Sequence, residues 1–344
     1  IFKFLDFNTK LKIIKETIQN KIYSTKNYTN FKEFAYGTYG KTISELFLIN
    51  YTEKLWGRSA NKLSSEISGN RLKNLTPLNL IKEMIYANNN SNHLDGSFYY
   101  PKNGYGTIFT QIQNIIGNEN INFLSPITEI IHENNKIKHI KYGNNKTVPV
   151  NTIINTLPIT SIIKILKPSP SNKIIKIINK FKFRSLKLFI IMLNKPYMTK
   201  NASIYFPEKE IPFTRIYESK NRSKYLAPEN HTSIVIEIPH EEKITNEQND
   251  ENKMELIQSY LIKNNFFNKK NIISHKIINI PYAYPVLETG TNNEINILID
   301  YLKKFKNMYL VGRNASFKYL HTHDLFHQSE AIINTIIKKE LKSG

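Results

Sequence analysis

"MYLVGRNASFKYLHTHDLFHQSEAI", residues 308–332, is the stretch on which the fold turns. An apolar run from Met308 to Val311 stops at Gly312-Arg313, a polar loop follows, and a helical pattern starts near residue 325. Strand, Gly-Arg, loop and helix make a closing unit of an α/β fold, where ligands sit beyond the carboxyl ends of strands. Glycine lets the backbone approach a phosphate closely, arginine supplies charge, and the following helix supplies free N–H groups. The same stretch holds His321, His323 and His327 with Asp324 among them. In an extended loop His321 and His323 share a face, and on a helix His323 and His327 do. Such a cluster holds zinc only if a further ligand joins it, whereas the strand-loop-helix pattern accounts for the backbone as well as the side chains. The expectation is no metal.

A chain of 344 residues suggests two domains, or one with a large insertion. With 40% hydrophobic and 12% aromatic residues it has the material for a packed core and is not a disordered chain. The formal charge of +20 invites a nucleic-acid reading. Lysine, however, greatly outnumbers arginine and is scattered through segments equally rich in Ile and Asn. No helix carries a basic stripe, so nucleic acid is not the expected partner. The absence of cysteine removes disulfides, thiolate metal sites and Cys nucleophiles, and fits a reducing, cytoplasmic setting. No apolar run is long enough to span a bilayer and no signal-peptide pattern is seen; surface association with a membrane stays open. The chain starts at Ile1 inside a helical pattern, which suggests a fragment without its N-terminus.

Residues 1 to 90 read as mostly helical. "FLDFNTKLKIIKETIQNKI" spaces Phe4, Leu5, Leu11, Ile14, Ile18 and Ile22 at three and four residues, and "TISELFLINYTEKLWG" continues the pattern. "TPLNLIKEMIYA" adds a helix with Thr76 as N-cap and Pro77 in the first turn. "SFYYPKNGYGTIFTQIQNIIG" predicts a short strand, a glycine turn and a helix closed by Gly117. Residues 121–158 predict short strands turned at "ENNK" and "GNNK". Two short helical pieces, a long strand "SLKLFIIMLNK", strands "FTRIYES" and "TSIVIEIP", a helix from "NEQNDENK" and a strand "IISHKIINIPYAYP" follow. A helix at 292–305, the strand "NMYLVGR" and a final helix close the chain. A helical block, a sheet, a second sheet and a β-loop-α unit, with no clean linker, point to two interleaved domains.

Several segments carry charge or special backbone. Trp56 is the only tryptophan; Gly57 follows it, and Arg58 and Arg71 come next. Gly104 and Gly106 suit either a planar ligand or an ordinary strand-to-helix turn. Arg184 opens an apolar strand, as a snorkelling end-cap or as a pocket charge. Arg215 and Glu218, three apart on a strand, face opposite ways. A Gly-x-Ser-x-Gly elbow, a His-Glu-x-x-His pair, a phosphate-binding Gly-Lys loop and a Gly-x-Gly-x-x-Gly fingerprint are all missing from the sequence.

Taken in order, these segments resemble the FAD-dependent amine-oxidase superfamily, near its branch of protoporphyrinogen-oxidase-like proteins and UDP-galactopyranose mutases. Tyr51-Thr-Glu-Lys-x-Trp-Gly57 is the most specific match. It is followed by Arg71, Tyr100-Pro101 with Gly104 and Gly106, Thr156-Leu157-Pro158, and Phe183-Arg184-Ser185-Leu186. Tyr282-Ala283-Tyr284-Pro285 and Gly312-Arg313 with a Tyr319-Leu320 loop complete it. The resemblance implies an α/β fold with α+β features. A Rossmann-like FAD domain, lacking its N-terminal βαβ unit, is interleaved with a substrate domain of antiparallel sheet and helical cap. Its expected segments are 1–97 (cap), 98–160 (FAD domain), 161–290 (substrate domain) and 291–344 (FAD domain). By the same resemblance Ile127, Thr156, Pro158, Gly312, Arg313, Leu320, His321 and Thr322 hold FAD, and Arg71 and Arg184 hold an anionic small-molecule substrate. The mutase-like loop reads Tyr-Leu-Asp-Met-Asp, whereas here it is Tyr319-Leu320-His321-Thr322-His323. Both acids are histidine, which puts mutase chemistry in doubt and leaves the largely main-chain flavin role intact.

The function expected on these grounds is an FAD-dependent oxidoreductase in which flavin takes a hydride from substrate, with no catalytic side chain assigned. The alternatives are a mutase-like isomerase working through reduced flavin and a non-catalytic fragment.

Overall fold

The structure, a computed structural model, describes residues 5–23, 27–68, 99–241 and 247–343. Arg71 and the helix expected at 76–87 lie outside the described residues. The chain divides into two compact units, residues 1–117 with 184–283 and residues 118–183 with 284–344.

The first unit begins with helices α1 (Phe7–Tyr23) and α2 (Phe31–Tyr39). The short α3 (Lys41–Ile43) continues through a π-helical stretch, Ser44–Ile49, into α4 (Asn50–Trp56). The helix expected at the start is present, but its packed face is not the one the spacing suggests. Ile13 and Thr17 are buried, whereas Leu11 and Ile18 are about half exposed. Polar contacts rotate the helix. Glu16 accepts from the Thr42 N–H (2.7 Å) and hydroxyl (2.8 Å), and Asn20 donates to the Tyr36 carbonyl (2.6 Å). The Glu16 bonds hold the start of α3, the Asn20 bond holds the last turn of α2, and Ile13 packs on Tyr39 and Ile43. Tyr99 and Tyr100 are not in a strand as expected: Pro101 has no N–H to pair, and its carbonyl accepts from Gly104 in a turn that leads into α5 (Gly106–Ile116).

The second unit takes over with β1 (Ile127–Glu133), β2 (Lys136–Tyr142), β3 (Lys146–Pro149), β4 (Ile153–Asn155), α6 (Ile159–Lys164), β5 (Leu166–Lys167) and α7 (Asn172–Ile178). The "ENNK" turn is a two-residue hairpin loop with Glu133 opposite Lys136 and positive φ at both Asn134 (49°) and Asn135 (57°). Asparagine tolerates that region, which matches the twist of the flanking strands. A four-stranded sheet in the order β3-β2-β1-β5 results.

The chain then returns to the first unit through β6 (Phe183–Leu193), β7 (Ser203–Tyr205), β8 (Arg215–Glu218), β9 (Thr232–Glu241), α8 (Glu247–Lys263) and β10 (Ile272–Pro285), the five strands forming a sheet ordered β10-β6-β9-β8-β7. Alternation puts Phe189, Ile191 and Leu193 of β6 on one face. Met254, Ile257 and Leu261 of α8, at helical spacing, join them in one core cluster, and all six are at most 1% exposed. Each such side chain contributes about 1.5–3 kcal/mol on burial.

Helix α9 (Asn292–Lys303), strand β11 (Met308–Leu310) and helix α10 (Thr322–Ser343) complete the second unit. β11 pairs in parallel with β4, Met308 opposite Ile153 and Leu310 opposite Asn155. The division departs from the expected segments at residues 98–117, which stay with the first unit, where Ser223 donates to the Lys102 carbonyl (2.6 Å). Residues 161–183 and 284–290 go with the second, where β5 extends β1 and the Val286 N–H donates to Lys182 (3.0 Å).

One buried amide ties this unit together. Asn307 accepts from the Ile137 N–H (2.8 Å) and donates to the carbonyls of Ile137 (2.9 Å) and Asn151 (2.8 Å), joining β2 and the β3–β4 connection to the start of β11. Asn307→Ala leaves three main-chain groups without these partners and is expected to cost about 3 kcal/mol. Urea unfolding checks this: the midpoint should fall at unchanged slope, and an unmoved midpoint would show that the amide ties nothing.

Candidate functional site

In the first unit the segment 51–57 is built from both ends. Helix α4 stops because Gly57 takes the left-handed conformation (φ 65°) and its N–H returns to the Glu53 carbonyl (2.8 Å). Arg184, at the mouth of β6 and 7% exposed, donates from Nε to the Leu55 carbonyl (3.1 Å) and from Nη2 to that of Lys54 (3.4 Å). A guanidinium there closes the helix end, where carbonyls and dipole both favour a cation. Burial, with Arg58 nearby, lowers its pKa, and Glu241 opposes that. A Cβ on Gly57 would lie 2.6 Å from Arg184 Nη1, so any side chain there must push the guanidinium aside. Trp56 is buried, the Glu53 carboxylate accepts from the Ala60 N–H (2.9 Å), and the Tyr51 ring stands edge-on to Tyr205 at 5.6 Å. The Lys54 ammonium donates to the carbonyls of Phe206, Glu208 and Phe213.

Tyr205 belongs to a second group on the same sheet. Ile216 and Glu218 of β8 are buried on the core face, so Arg215 and Tyr217 stand on the other. Arg215 is paired across the strands with Glu237 in a two-pronged bond, Nε to Oε2 at 3.0 Å and Nη2 to Oε1 at 2.5 Å. Its guanidinium lies over the Tyr205 and Tyr217 rings, and Arg222 lies over Tyr217 at 5.4 Å while donating to Ser203 Oγ. Burial works against the Arg215 charge, but Glu237 outweighs it and raises the pKa above the ordinary arginine value. Burial, then Glu237, raises that of Tyr217, which stays a neutral phenol. Two guanidiniums beside phenol rings suit a ligand with an anionic group and hydroxyls.

In the second unit β4 and β11 end side by side. Beyond β4, the Asn155 side chain accepts from the Leu157 N–H (3.1 Å) and donates to its carbonyl (3.2 Å), fixing the turn Thr156-Leu157-Pro158. Beyond β11, Gly312 has φ 97°, and a Cβ there would meet nothing within 4 Å. The Gly312 N–H donates to Gln328 of α10 (2.8 Å), and Ile159 donates to the Asn314 carbonyl (3.1 Å), so both strand ends and the helix are bound together. Arg313 donates from Nε and Nη2 to the Leu320 carbonyl (3.2 and 2.7 Å) and lies over the rings of Tyr284 and Tyr319. The His321 N–H donates to Asp324 (2.8 Å), a carboxylate in the first turn reaching back to cap α10. The His321 and His323 rings stack at 5.7 Å, and His327 is exposed further along the helix.

A model of the family described as UDP-galactopyranose mutase matches residues 46–275, two thirds of the sequence, including segment 51–57 and the Arg215 face. The chain belongs to the UDP-galactopyranose mutase family. Its fold is similar to that of a reduced UDP-galactopyranose mutase, with a TM-score of 0.75 at 20% identity over 92% of this chain and 68% of the other. It is also similar to an oxidoreductase from Methanosarcina mazei, with a TM-score of 0.59 at 14% identity over 90% of this chain and 68% of that one. A redesigned putrescine oxidase gives 0.60 at 8% identity over 96% of this chain and 76% of the other. Family and fold agree with the resemblance to the amine-oxidase superfamily drawn from the sequence.

Against that family background, Thr156, Pro158, Gly312, Arg313, Leu320, His321 and Thr322 fall into one cluster at the strand ends. Ile127 stands apart in the four-stranded sheet, opposite Tyr142. Arg184 is bound to the end of α4. Among the described residues no group of three or more His, Cys, Asp or Glu side chains is arranged to hold a metal ion. Also among them, no helix is long and apolar enough to cross a membrane. Arg222, Tyr205 and Tyr217 were not singled out by the sequence, and Lys54 entered only as a letter of the 51–57 motif, with no role. Arg215 was read only for its direction, because its partner Glu237 is distant in the chain.

Gly57 and Gly312, both with positive φ, separate crowding from conformation. Gly312→Ala is expected to cost about 1 kcal/mol, the conformational part alone, and Gly57→Ala about 2–3 kcal/mol because the Arg184 guanidinium must also move. Urea unfolding followed by circular dichroism, which sees both units, measures both, and equal costs would show that the guanidinium adds nothing.

Proposed function

We propose that the chain is an FAD-dependent enzyme acting on a nucleotide-linked sugar, an isomerase of the mutase kind. The observation that carries the reading is the Arg215–Tyr205–Tyr217–Arg222 assembly inside the span matched by the family model. Its guanidiniums would take a diphosphate, its phenols the sugar hydroxyls, and segment 51–57 would support Tyr205 from behind.

The second unit suits part of a flavin dinucleotide. Gly312 leaves open the space a side chain would fill, so main chain can approach a pyrophosphate. Thr156 and Pro158 end the neighbouring strand, and the first turn of α10 follows the Leu320-His321-Thr322 loop. FAD bound there supplies either a hydride acceptor or, when reduced, a nucleophilic ring nitrogen. The residues of the chain bind, orient and exclude water, and Tyr217 keeps its proton. Arg71 and Arg184 enter as substrate-holding groups by resemblance; for Arg184 the effect would run through the end of α4.

A hydride-transferring oxidoreductase is the second reading. It is favoured by His321 and His323 at positions where the mutase-like loop carries acids. The small-molecule substrate would then bleach oxidised flavin directly, whereas a mutase needs prior reduction and shows no net redox change.

The full chain with added FAD is expected to gain the visible absorbance of bound oxidised flavin and, after dithionite reduction, to interconvert UDP-galactopyranose and its furanose isomer. Arg215→Ala should weaken UDP binding by about tenfold to a hundredfold, the scale of a lost charge-assisted contact. A colourless protein, or UDP binding unchanged in the variant, sinks the reading.

A further inference from the structure

The Lys54 ammonium has three N–H donors, and all three are placed: 2.7 Å from the Phe206 carbonyl, 2.8 Å from that of Glu208 and 2.9 Å from that of Phe213. All three acceptors lie on the connection between β7 and β8. Pro207 and Pro212 of that connection have no N–H, so the loop is short of donors of its own. Three carbonyls converging on one positive charge are what a dehydrated monovalent cation takes from main chain. Burial lowers the Lys54 pKa, and the carboxylates of Glu208 and Glu210 oppose that shift.

The connection matters because of what it joins. Tyr205 precedes it, Arg215 follows it, and the two are paired in register. Helix α4 therefore holds this hairpin at two points one turn apart, by Tyr51 edge-on to Tyr205 and by Lys54 inside the loop. Phe206 and Phe213, packed edge to face at 4.8 Å, anchor the loop in the core.

We propose that Lys54 is a built-in monovalent cation: a positioning residue that touches no ligand and sets the β7–β8 hairpin, and with it the Arg215–Tyr217 face. It follows that removing the side chain uncovers a latent site for a free cation of the size of ammonium or potassium. The structural part stands without the proposed function; its effect on ligand affinity rests on that reading.

The test uses Lys54→Ala, which empties the cage, and Lys54→Met, which keeps the apolar stem packed and fills it. Hydrogen exchange of amides 206–215 is followed in tetramethylammonium, potassium and ammonium chloride at equal ionic strength. In tetramethylammonium the alanine variant should exchange at least about tenfold faster than the parent chain, and ammonium or potassium should restore most of the protection. The methionine variant should exchange fast in every salt. UDP affinity, read from Trp56 fluorescence, should fall and recover with the same salts. Unchanged exchange in the alanine variant, or a loss independent of cation, overturns the proposal. Should the parent chain bind no UDP while exchange still follows the small cation, the functional reading fails and the role of Lys54 stands.

Discussion

The end of helix α4, turned by Gly57, is held by a buried guanidinium. Transferring an isolated charge from water into the interior is prohibitive unless it finds partners. Arg184 meets that requirement with the last carbonyls of a helix rather than with a carboxylate. Lys54, on the same helix, does so with the carbonyls of a loop. The two cations hold α4 against β6 on one side and the β7–β8 hairpin on the other. The glycine of the motif, the edge-on tyrosines and the orientation of Arg215 all depend on that arrangement.

The same solution recurs at Lys220, which is 4% exposed and donates to the carbonyls of Pro228, Glu229 and His231 while lying over the Tyr197 ring. A strongly basic chain with few acids has more cations than carboxylates to pair them. Irregular loops have the complementary problem, carbonyls without N–H partners. Placing one in the other answers both demands. The second unit uses the same device at Arg313 and adds neutral amides, Asn307 and Asn155, which offer donor and acceptor from one side chain and carry no charge to desolvate.

Local chemistry could be read from the sequence. Asn134-Asn135 declares a tight hairpin, Met308 to Gly312 declares a strand that stops, and the order of the motifs leads to the right superfamily. What could not be read depends on partners far along the chain. Leu11 and Ile18 look like the buried face of α1, yet Glu16 and Asn20 reach Thr42 and Tyr36 and turn the helix about its axis. Gly57 is legible as a motif residue, but the guanidinium that demands it arrives from β6. Arg215 is one arginine among several until Glu237, on the next strand of the sequence, takes both its prongs.

The interleaving of the two units governs the order in which the chain can be assembled. β6 and β10 each carry the backbone from one unit to the other, so neither unit is a contiguous piece of sequence. Chains are made from the N-terminus, and domains generally fold as units while they emerge. The first unit cannot complete its sheet until β10 has left the ribosome, and β4 waits longer still for its parallel neighbour β11. Through most of synthesis, apolar strand edges stay open, and long loops must close before their contacts repay them. The topology therefore leaves the five-stranded sheet and the β4–β11 pair incomplete until the last strands of the chain have been made.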